Sequence, residues 1–191
     1  MKGQYKMIVI GASAGGLTAL ESILARLPEK FPVSIVIVQH LLPTNDSILN
    51  DLLNRHCALS VKEAEDKEPI KSGVVYTAPA NYHLLIEPDF SFALNVDLKV
   101  NFSRPSIDAL FDSASECYQS QLIGVLLTGA NEDGAQGLSK IQNNGGLVIV
   151  QDPATAEVAT MPAAGLELTQ TPHVLALEGI SDLIMEVCCH D

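Results

Sequence analysis

Three polar residues stand where apolar runs of the chain stop: Ser13 after MIVIG, His40 after VSIVIVQ, and Asp133 in the turn after LIGVLLTG. A serine hydroxyl near its free pKa is a poor nucleophile. It needs an imidazole to take its proton and a carboxylate to hold that imidazole in the right tautomer. The ends of strands in one sheet can converge three such groups, so acyl transfer through a serine is the chemistry these positions suggest.

Around the serine, Gly11-Ala12-Ser13-Ala14-Gly15 fits G-x-S-x-G. In that pattern a sharp strand-to-helix turn lifts the hydroxyl into the open, and small neighbours make the turn sterically feasible. The following helix also aims backbone N–H groups at developing negative charge. Two other readings compete. The turn could simply connect a strand to a helix with Ser13 as its N-cap. It could also bind a dinucleotide, but Ser13 occupies the middle glycine of G-x-G-x-x-G, and Gln39-His40 stand where an acid should meet the ribose. The order Ser, His, acid along the chain, with the serine after the first strand, departs from the α/β-hydrolase order.

The elements that must position these groups alternate. Lys6–Gly11 reads as a strand, Leu17, Leu20, Ile23, Leu24 and Leu27 as a helix stripe, and Val33–Val38 as a strand covered on both faces, so 6–39 forms a first βαβ unit. A second helix is expected from near Asn45 to Arg55, with Asn45 or Asp46 as its cap. Between Val61 and Phe102 the segments VVYTAP, HLLIE and FALNV read as small antiparallel strands forming an excursion at one end of the sheet. Helical pattern returns at Ser106 with Asp108 in its first turn, followed by a buried strand at Leu122–Leu127 and a helix near Ala135–Gln142. A strand at Leu147–Val150, a short helix at Ala163–Leu168, a strand at His173–Leu177 and a helix at Ser181–Cys188 finish the chain. The expected fold is one α/β domain over residues 1–191 with a doubly wound, mainly parallel, Rossmann-like sheet, whose site lies beyond the carboxyl ends of the strands.

Composition narrows the function classes. With 23 acidic against 11 basic residues the net charge is −12, which repels phosphate backbones and argues against nucleic acid as a partner. Apolar residues make up 47% of the 191, yet no uninterrupted apolar window is long enough to span a bilayer, and the N-terminus lacks a signal-peptide cleavage pattern. A cytoplasmic location without membrane insertion is the expectation. Cys57, Cys117, Cys188 and Cys189 show neither a C-x-x-C spacing nor a disulfide framework, and read as free thiols. Cys188 and Cys189 point about 100° apart on a helix, a poor start for a metal site with His190, and no metal is expected. His56, His173 and His190 are given no chemistry.

Several segments together resemble the catalytic domain of the chemotaxis protein-glutamate methylesterases, the CheB family. They are Val9–Gly16 (VIGASAGG), Val36–His40 (VIVQH), Tyr76–Pro79 with His83-Leu84, Ser103–Asp108 (SRPSID) and Leu126–Ala135 (LLTGANEDGA), in order along about residues 8–177. The resemblance implies Ser13 as nucleophile, His40 as general base and then general acid, and Asp133 as the orienting carboxylate. Glu132 and Asp152 are rival acids, and position in the family's T-G-x-x-x-D-G pattern favours Asp133. Two residues depart from the family pattern, Ala14 for the usual threonine and Ala130 for the usual methionine. If both serve through backbone N–H groups in an oxyanion hole, alanine keeps the donors. His83 and Arg104 occupy family-like segments and are weaker candidates for substrate contact.

What the resemblance implies about activity is hydrolysis of glutamyl γ-methyl esters on cytoplasmic chemoreceptor helices, with deamidation of some glutamines, and no cofactor. Family members commonly carry an N-terminal receiver domain, whereas this chain starts at the catalytic domain's own first strand. Either the sequence is a fragment of a longer protein or the protein is a stand-alone esterase, controlled by a separate regulatory protein or not at all; Met1 and the short lead-in favour a natural start. A degenerate binding or signalling module of the same fold, and an esterase for small esters outside chemotaxis, are the alternatives.

Overall fold

The computed structural model describes residues 4–40, 46–170 and 172–189. Its frame is a seven-stranded parallel sheet in the order β3-β4-β2-β1-β7-β8-β9. These strands are β1 (Met7–Ala12), β2 (Ser34–Gln39), β3 (Ser60–Glu63), β4 (Val74–Thr77), β7 (Leu122–Leu126), β8 (Leu147–Gln151) and β9 (His173–Leu175). A separate antiparallel pair, β5 (His83–Ile86) and β6 (Phe92–Asn95), lies outside that sheet.

Alternation along the central strands splits the core into two layers. Ile8, Ile10, Ile35 and Ile37 face α1 (Gly16–Leu24), α2 (Asp46–His56) and α6 (Leu177–Cys189). Met7, Val9, Val36 and Val38 face the opposite way, toward α3 (Ile107–Tyr118), α4 (Ala135–Asn143), α5 (Thr160–Leu168) and the β5-β6 pair. Side chains are apolar on both faces of β1 and β2 because helices cover both, and each fully buried Ile, Leu or Val contributes about 1.5–3 kcal/mol.

Chain order reverses at β1, which has β2 on one side and β7 on the other. The loops leaving β2, β1 and β7 therefore open into one crevice at the carboxyl edge, as expected for this architecture.

Two readings of the excursion need correction. VVYT forms β4, which pairs in parallel with β2 and joins the main sheet; only HLLI and FALN pair antiparallel. Ser60–Glu63 is an additional strand on the sheet's edge. Four-residue strands carry too little periodicity to reveal direction, and pairing with β2 is decided by contacts about 40 residues away in sequence. The closing elements also shift: α5 starts at Thr160 with Pro162 in its first turn, β9 stops at Leu175, and α6 starts at Leu177. The first turn of a helix tolerates proline because its N–H groups lack intrahelical partners. Asn45, one of the two expected caps of α2, lies outside the described residues, as does His190.

Candidate active site

Ser13 leaves β1 at the centre of the crevice. Its N–H donates to Thr128 O at 2.9 Å, and on the other side His40 N–H donates to Ala12 O at 3.0 Å. Because Ala12 pairs with Gln39 in the sheet, Ser13 and His40 stand side by side at the ends of neighbouring strands. The helix that follows is capped by Gly15, in the left-handed region at φ 77°, and no side chain caps it. Ser13 is thus not the N-cap, and among the described residues its hydroxyl has no hydrogen-bond partner. Gly16 permits the close approach of α1: a Cβ there would lie 1.9 Å from Gln39 Oε1 and 2.8 Å from Ala12 Cβ.

Asp133, fully buried, occupies the turn between β7 and α4, yet its carboxylate sits at the N-terminus of α3. Oδ2 accepts from His40 Nε2 at 2.9 Å and from Ile107 N–H at 2.7 Å. Oδ1 accepts from Ser106 Oγ at 2.8 Å, Asn101 Nδ2 at 3.0 Å and Asp108 N–H at 3.1 Å. Ser106 is the N-cap of α3, so the first turn of that helix solvates the carboxylate in place of water. Burial pushes the Asp133 pKa up, but the hydrogen bonds from His40, Asn101, Ile107 and Asp108 more than offset it and hold the carboxyl below its ordinary value. Asp108 goes the other way. Burial raises it and the Asp133 charge adds to the rise, while bonds from Gly137 N–H and Asn101 Nδ2, both at 2.7 Å, oppose it.

Because an ionised Asp133 carboxylate can only accept, His40 donates to it from Nε2, and in the neutral ring the lone pair then falls on Nδ1. Neither rival acid joins this pair. Glu132 is exposed beside Asp133, and Asp152 Oδ1 accepts from Ala154 N–H at 2.9 Å, closing its own turn beyond β8.

Further polar residues hold the three groups in place. Buried Gln39 donates from Nε2 to Ser13 O at 2.8 Å and to His40 O at 2.9 Å, tying the serine turn to the histidine. Thr128 Oγ donates to Ala14 O at 2.8 Å and accepts from Val158 N–H at 2.9 Å. Gly129 runs so close to the serine that a Cβ there would sit 2.9 Å from Ser13 Cβ. Next to these anchors, the backbone N–H groups of Ala14 and Ala130 have no hydrogen-bond partner among the described residues. Sequence reasoning passed over Gln39, Thr128, Asn101 and Ser106. A glutamine buried at the end of an otherwise apolar strand was the available signal for the first.

His83 and Arg104 contact backbone. His83, 2% exposed, bonds Leu98 O through Nε2 at 3.0 Å and accepts Ser106 N–H at Nδ1, 3.2 Å away. Arg104 Nη1 donates to Val96 O at 2.8 Å and Asp97 O at 3.0 Å. Among the described residues no group of three or more His, Cys, Asp or Glu side chains could hold a metal ion, and no helix is long and apolar enough to cross a membrane. Burial pushes the Cys188 thiol up to about 12, with the neighbouring Cys189 adding to the shift.

A doubly wound α/β sheet with a serine turn and a histidine–carboxylate pair at its switch point defines the class of protein. The CheB methylesterase family model matches residues 8–184, and this chain belongs to that family. The crystal structure of the Thermotoga maritima CheB methylesterase catalytic domain superposes with a TM-score of 0.92 at 39% identity, covering 96% of this chain and 98% of that one. The full-length Thermotoga maritima protein-glutamate methylesterase/protein-glutamine glutaminase is 39% identical over 95% of this chain, which spans 54% of that relative. A Leptospira interrogans protein, provisionally named for the same two activities, is 55% identical over 96% of this chain and 95% of its own length.

Proposed function

We propose that this protein hydrolyses γ-methyl esters of glutamate on chemoreceptor helices through Ser13, His40 and Asp133, and deamidates glutamine at such sites by the same route. The observation that carries the reading is the His40–Asp133 bond beside Ser13, built from three adjacent strand ends and caged by the N-terminus of α3. Membership of the methylesterase family supports it.

In this mechanism Asp133 stays ionised at neutral pH and orients the ring, and His40 Nδ1 takes the Ser13 proton as Oγ attacks the ester carbonyl. The oxyanion faces the free N–H groups of Ala14 and Ala130; a donor of this kind is worth about 2.7–4 kcal/mol in the transition state. His40 then returns the proton to the leaving methoxide, releasing methanol and leaving an acyl-serine. Water, deprotonated by the same nitrogen, hydrolyses that intermediate to glutamate and restores Ser13. With a glutamine substrate the leaving group is ammonia. Every proton moves through one imidazole, so no cofactor is needed. His83 and Arg104 act in this scheme by holding backbone around the site.

Methanol release from methylated receptor tests the proposal, with Ser13 labelling by a fluorophosphonate as an independent reading of the nucleophile. Ser13→Ala is expected to abolish labelling and to lower methanol release at least ~10³-fold. Undiminished release by that variant would refute the assignment.

A further inference from the structure

Two helices exchange carboxylates beside His40. Asp133 directly precedes Gly134, the N-cap of α4, yet its oxygens accept from the Ile107 and Asp108 N–H groups in the first turn of α3. Asp108 belongs to that turn of α3, yet its Oδ1 accepts from the N–H of Gly137, the third residue of α4, at 2.7 Å. Each N-terminus is thus served by a carboxylate from the other helix or the turn that leads into it. Asn101 joins the two carboxylates. Its Nδ2 donates to Asp108 Oδ2 at 2.7 Å and to Asp133 Oδ1 at 3.0 Å, which uses both amide hydrogens and fixes which way the amide faces.

The third N–H of a helix is a donor that an N-cap side chain ordinarily serves. Gly134, at φ 97°, has no side chain for it, and Asp108 takes that place. Close packing permits the reach: a Cβ at Gly137 would stand 2.5 Å from Phe111 Cβ and 3.2 Å from Asp108 Oδ1. The arrangement carries an electrostatic cost. Asp108 lies beside a second, fully buried carboxylate, and burial together with that charge raises its pKa.

We infer that Asp108 is a positioning residue for the proposed triad: by occupying the N-terminus of α4 and orienting the Asn101 amide, it keeps the Asp133 carboxylate turned toward His40. The role rests on the proposed methylesterase function. An aspartate one residue before a helix's N-cap is drawn to the free N–H groups and positive end of that same helix. With Asp108 bonded to Gly137, that donor is already taken, and Asp133 stays with α3 and His40.

The test compares wild type, Asp108→Asn and Asn101→Gly by methanol release against concentration of methylated receptor, by the NMR resonance of the His40 Nε2 proton in protein carrying isotope-labelled histidine, and by thermal unfolding. Asparagine at 108 offers one carbonyl oxygen to the two donors, Gly137 N–H and Asn101 Nδ2, so it breaks one side of the exchange. Glycine at 101 suits the positive φ of 49° there and removes only the bridge. In both variants kcat is expected to fall roughly 10²-fold at unchanged KM, the cost of a misplaced catalytic group, and the His40 resonance is expected to move. A kcat within about twofold of wild type with an unmoved resonance in folded Asp108→Asn overturns the role, whatever its melting temperature, and leaves Asp108 a cap for α4 alone. A raised KM at unchanged kcat also overturns it. If Asp108→Asn does not fold, the same two readings on Asn101→Gly, altered at an exposed position, decide. Wild-type protein that releases no methanol overturns the esterase reading, while the resonance still decides whether Asp108 holds the His40–Asp133 bond.

Discussion

Replacing Asp133 by asparagine is the most informative single perturbation, because the carboxylate is surrounded entirely by donors. His40 Nε2 and Ile107 N–H point at Oδ2, and Asn101 Nδ2, Ser106 Oγ and Asp108 N–H at Oδ1. An asparagine must turn its NH₂ toward one of these sets. Facing Oδ1's partners, it meets the Asn101 amide and the Asp108 N–H. Facing Oδ2's partners, it orphans Ile107 N–H and drives the His40 proton from Nε2 to Nδ1, which removes the lone pair that receives the Ser13 proton in the proposed mechanism. A buried donor left without an acceptor costs about 1–3 kcal/mol. At about 2–4 °C per kcal/mol for a chain of this size, melting falls by roughly 2–12 °C at pH 7. The wrong tautomer is expected to lower kcat by about 10⁴, as in the general triad case.

The pH dependence of this difference has a definite sign. Asp133 titrates lower in the folded protein than when unfolded, so its stabilisation is present above the unfolded value of about 3.9 and is lost as pH falls through the folded value. The gap in melting temperature between wild type and Asp133→Asn should therefore be full at neutral pH and shrink below about pH 4. The assays are methanol release at pH 7 and melting across pH 3–7. Asp133→Asn activity within tenfold of wild type would refute the role of the carboxylate, and a melting gap that persists undiminished at pH 3 would refute the electrostatic account of its cage.

Gln39→Leu leaves Ser13 O and His40 O without their shared donor; at about 0.5–1.5 kcal/mol per bond it should cost roughly 1–3 kcal/mol in denaturant unfolding. It should also slow fluorophosphonate labelling, because the serine turn and the histidine lose their tie; labelling at the wild-type rate would count against it. Thr128→Val keeps shape but strands Val158 N–H and frees Ala14 O, and should lower stability by about 1–3 kcal/mol. Its methanol release should fall as well, since the Ala14 peptide, proposed as one oxyanion donor, is no longer anchored; unchanged kcat would separate Thr128 from the site.

The placement of Ser13, His40 and Asp133 beyond the ends of β1, β2 and β7 was legible in the sequence because a strongly apolar run stops shortly before each, and short-range pattern locates strand ends well. The two-sided apolar strands likewise disclosed a covered parallel sheet. Their partners were not legible. Asn101, Ser106 and Ile107 reach Asp133 from 26–32 residues earlier in the chain, and only the packing of α3 beside α4 brings them to it. The parallel pairing of β4 escaped for the same reason, as did the conversion of His83 and Arg104 into clamps for a loop.

By itself, then, the sequence determined the fold class and the order of chemical groups along the chain, since both follow from local hydrophobic period and turn composition. Tertiary structure alone decided which nitrogen of His40 faces the carboxylate, and how a fully buried Asp133 is solvated so that its carboxyl is held below its ordinary value. Those properties depend on distances between segments remote in sequence, and on solvation of a charge by backbone N–H groups, which any side-chain sequence can leave unspecified until the chain is packed.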